Sequence, residues 1–339
     1  MTFIRWFVAA VLGLALAYVA LVTVVNPRRE FGPTVFPEVI PNSRGMKIAY
    51  FGAYNRTAPV QGLILGSSTS MQLNPATFDS LTGERFFNFA VFAGRPEDEL
   101  AIYRLLRQRG VSLRKVIVGV DVQVFDPHLP LAGDFNDNID LRSSLNGTTP
   151  TAFDRVVEVG TDYKHAMAFS YALDVLTSLK VALRPALPEH AFDPNGRIHS
   201  PLWDTQRAAG TFDLAGMVNR CAKGVVEGAV AYDHLDTTRV RLLDQLLGEI
   251  QRDSVGLVLW LPPFHPRLAE AIAQSPQANA NAERARQAIV DLAARHGLPL
   301  VDLSLISSFS GDTTHWYDCI HYGPDDADRI ATLLARHDP

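Results

Sequence analysis

Two short stretches of the chain hold residue types that can do covalent chemistry together. One is "LGSSTS", Leu65 to Ser70, which sets Ser67, Ser68 and Ser70 directly after a short apolar run. The other is "DCIHYG", Asp318 to Gly323, which spaces an acid and an imidazole three residues apart near the end of the chain. A serine hydroxyl is a weak nucleophile until an imidazole takes its proton. The imidazole in turn works best when a carboxylate fixes its tautomer. Each stretch alone has an ordinary reading. Serines after a glycine at a helix start commonly act as caps, and an acid and a histidine can simply share a solvated loop. The chemistry requires elements that bring the two stretches to one place.

The pattern of elements supplies such a place. "GLILG" (Gly62–Gly66), "RFFNFAVF" (Arg85–Phe92), "KVIVGVDV" (Lys115–Val122), "SVGLVLWLPP" (Ser254–Pro263) and "LPLVDLS" (Leu298–Ser304) are short apolar runs that read as buried strands. Helices fall between and after them. Asn74 and Pro75 read as an N-cap followed by a proline at the first helical position. "PEDELAIYRLLRQRG" (Pro96–Gly110) has a proline start, acids in its first turn, bases in its last and a closing glycine. Asn281–Gly297 and Gly323–His337 read as two more helices. Apolar strands alternating with amphipathic helices predict an α/β fold, a five-stranded parallel sheet covered on both faces. Ligands of such sheets bind beyond the carboxyl ends of the strands. Ser67, Ser68 and Ser70 follow the first strand and Asp318 and His321 precede the last helix, so both groups fall at that edge.

Between the third and fourth strands lie residues 128–253, read as a helical insertion or lid, with helical stretches at Asp154–Leu183 and Val240–Gln251. Upstream of the globular part, which starts near Met46, the proline- and glycine-rich residues 28–45 read as a linker. Before that, "WFVAAVLGLALAYVALVTVV" (Trp6–Val25) is a run of 20 residues without a charge. Its length matches a hydrocarbon core of about 30 Å, and it continues well past the apolar stretch of a cleaved signal. Residues 1–27 are therefore read as an uncleaved transmembrane anchor. Arg5 lies before it and Arg28 and Arg29 after it, a near balance that leaves orientation open.

Composition removes other classes. A net charge of −5 gives no electrostatic case for nucleic acid. Two cysteines, Cys221 and Cys319, are too few for a disulfide framework or a structural zinc site and leave a single bridge open. The histidines do not cluster at metal-ligand spacing and no glycine-rich phosphate loop occurs, so neither a metal nor a nucleotide cofactor is expected. His265, set between prolines in "LPPFHP", and His315 and Trp316 read as loop and packing residues.

From Gly62 to His337 the chain resembles the SGNH/GDSL superfamily of serine acyl hydrolases and acyltransferases, whose fold is a flavodoxin-like three-layer sandwich. "GSS" (Gly66, Ser67, Ser68) occupies the family's first block, and "DCIH" matches its Asp-x-x-His block residue for residue. The resemblance implies Ser68 as nucleophile, His321 as general base and then acid, and Asp318 as the group that orients the ring. It also implies an oxyanion hole from the Ser68 amide, a second amide after the second strand and an asparagine after the third. Gly94 is the natural second donor, with Ala93 the other choice, and Gln123 lies nearest the asparagine position. Asp121, two residues earlier, either lines the site or ends the strand.

The overall style is most similar to the membrane-anchored branch that includes alginate acetylation proteins and the D-alanyl transfer protein of lipoteichoic acid synthesis. That likeness implies an extracytoplasmic domain, an acyl-ester or glycan substrate of the cell envelope, and partners in polysaccharide synthesis or acyl transfer. An esterase, an O-acyltransferase and a non-catalytic polysaccharide-binding or scaffold protein all remain compatible with these residues.

Overall fold

The computed structural model describes residues 2–31, 34–39, 42–184 and 187–337. Seven strands occur in it: β1 (Gly62–Leu65), β2 (Phe86–Asn88), β3 (Lys115–Gly119), β4 (Ala191–Phe192), β5 (Ile198–His199), β6 (Gly256–Leu261) and β7 (Leu300–Asp302). Five form one sheet in the order β2-β1-β3-β6-β7. Every pairing in it is parallel. The α/β class and the five-stranded parallel sheet expected from the apolar runs are thus present. β4 and β5 form a separate antiparallel hairpin.

Alternate residues of the strands feed two cores, one on each face, as the two-residue repeat of a strand requires. Leu63, Leu65, Val116, Val118, Leu257 and Leu259 face one core. Ile64, Ile117, Val258 and Trp260 face the other. The first core is closed by helices Pro96–Gln108, Thr237–Arg252 and Pro276–Arg295, and the second by Pro75–Thr82 and Pro324–Arg336. Leu243, Leu246, Leu247 and Ile250 of Thr237–Arg252 are fully buried on the sheet, each worth about 1.5–3 kcal/mol over exposure. That helix therefore serves as the crossover from β3 to β6, although the sequence reading counts it within the insertion.

Two expected elements change length. The apolar run Arg85–Phe92 yields a strand only to Asn88. There the Asn88 amide turns to the carbonyls of Ser70 and Leu73, and the following residues become a loop. Phe89 and Val91 still donate their N–H groups to Ile64 and Gly66, which carries that loop along the end of β1. The stretch Asp154–Leu183 is two helices, Ala152–Ala166 and Phe169–Leu183.

The N-terminal run forms one helix, Thr2–Val25, with a mean hydropathy of 2.6, long and apolar enough to cross a membrane. Its first two turns stand free of the rest of the protein, with Phe3 79% and Trp6 74% exposed. Part of the expected linker is helical, because Asn42 caps Ser43–Thr57 by accepting from the Gly45 N–H.

Candidate active site

The strand order reverses between β1 and β3, and the crevice at such a point is where doubly wound sheets bind ligands. The turn after β1 begins at Gly66, whose φ of +142° suits a residue without a side chain. A Cβ there would lie 2.4 Å from Ser70 Oγ. The chain then turns sharply enough to send its four hydroxyl residues in different directions. Ser67, Thr69 and Ser70 are buried, whereas Ser68 keeps partial exposure. Ser68 Oγ lies 2.8 Å from His321 Nε2, which in turn presents Nδ1 to Asp318 Oδ2 at 2.7 Å. The structure thus brings together Ser68, His321 and Asp318.

The three-residue spacing of Asp318 and His321 has a local cause. Asp318 Oδ1 accepts the backbone N–H groups of Ile320 and His321, both at 2.8 Å, closing a turn on its own side chain. The other oxygen is left to face the imidazole. Tyr317 N–H donates to the His321 carbonyl at 2.8 Å and closes the same turn from outside. Burial opposes charging His321. The hydrogen bond and negative charge of Asp318, with Asp121 behind it, outweigh that and hold the imidazole above its ordinary pKa. Burial likewise raises Asp318, but its bond to His321 and its two amide donors leave it below the usual carboxylate range.

Two further residues hold the turn after β1, one to this loop and one to β3, and sequence reading assigned neither of them that role. Tyr322, fully buried, donates its hydroxyl proton to the Thr69 carbonyl. Asp121, at the end of β3, is 2% exposed and accepts hydrogen bonds from Ser67 Oγ and from Thr69 Oγ1, the latter at 3.1 Å. Asp121 therefore lies beneath the turn that carries Ser68. Its burial raises its pKa, with the two hydroxyl donors acting in the opposite sense. A signal was present in the sequence: an acid closing an otherwise apolar strand must find donors, and hydroxyl residues emerge from the neighbouring strand.

Cys319 also acquires a partner. It is bonded to Cys221 of helix Leu214–Val230, with the two Cα atoms 5.6 Å apart. The bridge lies inside the Asp-x-x-His turn and fastens it to a helix 98 residues away in sequence.

The expected oxyanion donors divide. The Ser68 N–H donates to no acceptor among the described residues. Gly94, the natural second donor by sequence, has its N–H committed to the Val91 carbonyl at 3.1 Å. Its glycine character serves close packing instead, since a Cβ would stand 2.4 Å from the Gly66 carbonyl oxygen and 3.1 Å from Ser67 Cα. The free amide on this loop belongs to Ala93, whose N–H donates to no acceptor among the described residues. Ala93 holds a φ of +48°, an unfavourable setting for a residue with a Cβ. Gln123 lies in the short turn Val122–Phe125, and its buried Oε1 has no partner among the described residues. No hydrogen bond joins it to Ser68.

The surroundings of the site are partly aromatic. His190 packs between Phe92 at 5.2 Å, tilted, and Trp203 at 5.3 Å, edge to face, and burial lowers its pKa. Trp203 lies 5.4 Å from Tyr317, which precedes Asp318. Phe92, Ala93 and His190 line one end of a cavity of about 820 Å³ that extends to Arg28, Arg29 and Glu30. A second cavity, of about 410 Å³, reaches Asp121 from the ends of β6 and β7. His265 caps helix Pro266–Ala273 by accepting the Arg267 N–H, and its ring packs on Trp316. His315 faces Asp325 on the surface, while Trp316 is buried and donates to Asp326.

No protein-family model matches the chain, and no curated protein matches it by sequence.

Proposed function

We propose that the protein is a membrane-anchored serine acyl-ester enzyme of the SGNH/GDSL type, acting by a Ser68–His321–Asp318 relay. The observation that carries the proposal is the unbroken chain of hydrogen bonds from Ser68 Oγ through His321 to Asp318, at 2.8 and 2.7 Å. The strand order β2-β1-β3-β6-β7 with the site at its crevice is consistent with that fold.

In this reading Ser68 Oγ attacks the acyl carbonyl carbon while His321 Nε2 takes its proton. Asp318 holds the opposite nitrogen protonated and stabilises the imidazolium. The developing oxyanion is held by the N–H groups of Ser68 and Ala93, with Gln123, in the turn after β3, the remaining amide candidate. His321 then gives the proton to the leaving alkoxide as the carbon–oxygen bond breaks, leaving an acyl group on Ser68. Water activated by His321 releases the acid and restores the serine, which is hydrolysis. A sugar hydroxyl activated in the same way carries the acyl group off as a new ester, which is O-acyl transfer. Asp121 acts through Ser67 and Thr69, holding the turn that presents Ser68.

An extracytoplasmic setting for the domain is supported by the disulfide between Cys221 and Cys319, because such bonds persist on the oxidising side of a membrane. Together with the apolar helix Thr2–Val25 this favours acyl esters of the cell envelope as substrates. The test is turnover of a simple activated acyl ester by the full chain, with and without an oligosaccharide acceptor. The expected result is ester cleavage that Ser68→Ala abolishes, with acylated sugar formed if transfer operates. Cleavage that persists unchanged in Ser68→Ala would overturn the proposal.

A further inference from the structure

The helices Ala152–Ala166 and Phe169–Leu183 meet at a bend of 78° and together are apolar enough to count as a broken span or re-entrant loop. They are apolar on the side turned away from the protein as well as on the buried side. Phe153, Val156, Phe169, Leu176 and Leu183 point away from the protein, at 74%, 69%, 79%, 62% and 83% exposure. Two acids of the pair turn to the protein instead: Glu158 accepts the Ile139 N–H at 2.7 Å, and Asp174 pairs with Arg28 at 2.7 Å. A helix facing water keeps its apolar stripe on the core and its charges outside. A continuous apolar face of this kind marks an interface.

The position of the pair identifies what covers it. Ala166, Tyr171 and Val175 bury against Val22 and Val25 of the apolar N-terminal helix. Tyr18 donates its hydroxyl to the Ala166 carbonyl at 2.7 Å, and Thr23 meets Tyr163 at 3.3 Å. Tyr18 stands seven residues before the end of that helix at Val25, about 10 Å along its axis. The bend between the two helices is therefore level with the last third of the proposed span. Exposed Lys164, Lys180 and Arg184 lie on the same two helices or just after them, where long basic side chains can reach lipid phosphates.

We propose that the outer face of Ala152–Leu183 is seated in the lipid bilayer at the boundary of acyl chains and headgroups, as a second attachment beside the anchor. The proposal rests on the anchor reading above. A single helix leaves the domain free to swivel, whereas a helix and a bent pair gripping it fix which face of the protein meets the membrane. The large cavity lies along this pair, lined by Glu158, Val159 and Asp162 at one side and by Ala93 and His190 at the other. The attachment would thus hold the cavity that ends at Ala93 and His190 close to the membrane surface.

The test uses the full chain in nanodiscs of phosphatidylethanolamine and phosphatidylglycerol, with one nitroxide on a single introduced cysteine. The two native cysteines are bonded to each other and do not react. Phe169→Cys and Leu176→Cys probe the face, Val11→Cys the anchor, and Arg295→Cys, on an exposed helix end, the aqueous reference. Collisions with oxygen relative to a nickel chelate are expected to be several-fold higher at 169 and 176 than at 295, approaching the value at 11. Values at 169 and 176 equal to that at 295 would overturn the proposal while leaving the anchor intact. Shielding from both reagents would also overturn it, since that reports contact with protein. A water-like reading at 11 would remove the anchor and the proposal together.

Discussion

His321 Nε2 and Ser68 Oγ meet at 2.8 Å across 253 residues of sequence. The contact depends on two supports that do not touch a reacting atom. Tyr322 ties the histidine loop to the Thr69 carbonyl, and Asp121 ties the Ser67 and Thr69 hydroxyls to the end of β3.

The raised pKa of His321 gives a sign for the pH profile. In the proposed mechanism the base works only when neutral, so activity should fall as pH drops through a value above the ordinary histidine pKa of about 6.5. Asp318→Asn removes the charge that holds the pKa up, so the acid limb of kcat/KM moves to lower pH. The rate at its plateau falls by about 10³–10⁴ because the tautomer is no longer fixed. An acid limb that stays in place in Asp318→Asn contradicts the assignment.

Asp121→Ala leaves the Ser67 and Thr69 hydroxyls with only each other, so one buried O–H loses its acceptor, at about 1–3 kcal/mol. The melting temperature should fall, and kcat should fall more than KM rises, because the turn presenting Ser68 loosens. Asp121→Asn keeps an acceptor oxygen and removes the charge facing His321. It should recover most of the stability while shifting the acid limb downward. A purely structural Asp121 would leave that limb unmoved.

Ala93 and Gly94 should respond in opposite ways. Ala93→Gly keeps the free N–H and relieves the φ of +48°, so activity persists and stability holds or rises. Gly94→Ala drives a Cβ into the Gly66 carbonyl and forces the loop off the nucleophile turn. Its ester turnover should drop by at least tenfold. Steady-state kinetics with thermal melts on both variants read the difference.

Reduction of Cys221–Cys319, or its replacement by two serines, frees a loop of 98 residues in the unfolded chain. The expected loss of stability is about 2–5 kcal/mol, read as a lower melting midpoint in reductant. The bridge begins within the Asp318–His321 turn, so turnover should fall at temperatures where the fold itself survives.

What the sequence carries and what it does not divides by distance along the chain. Gly62–Gly66 and Ser254–Pro263 announce buried strands because a parallel sheet covered on both faces needs unbroken apolar runs. Asp318 and His321 are legible because their spacing is set by a turn that Asp318 itself closes. Residue types alone leave Ser67, Ser68 and Ser70 equivalent. The partners that separate them are distant in sequence: Asp121, 54 residues from Ser67, takes Ser67 inward, and His321, 253 residues from Ser68, meets Ser68. The Cys221–Cys319 pairing is equally non-local. Gly94 attracts notice as a glycine in the right loop, yet it is there for contact with Gly66, and the neighbouring alanine carries the free amide.

The most direct measurement of the central claim is covalent labelling by a fluorophosphonate, followed by mass spectrometry of the modified peptide. The full chain should take up one phosphonyl group, on Ser68. Ser68→Ala and His321→Ala should lose it, and Ser67→Ala should keep it. A folded protein that takes no label, or a label that Ser67→Ala removes and Ser68→Ala retains, would contradict the assignment of Ser68 as the nucleophile.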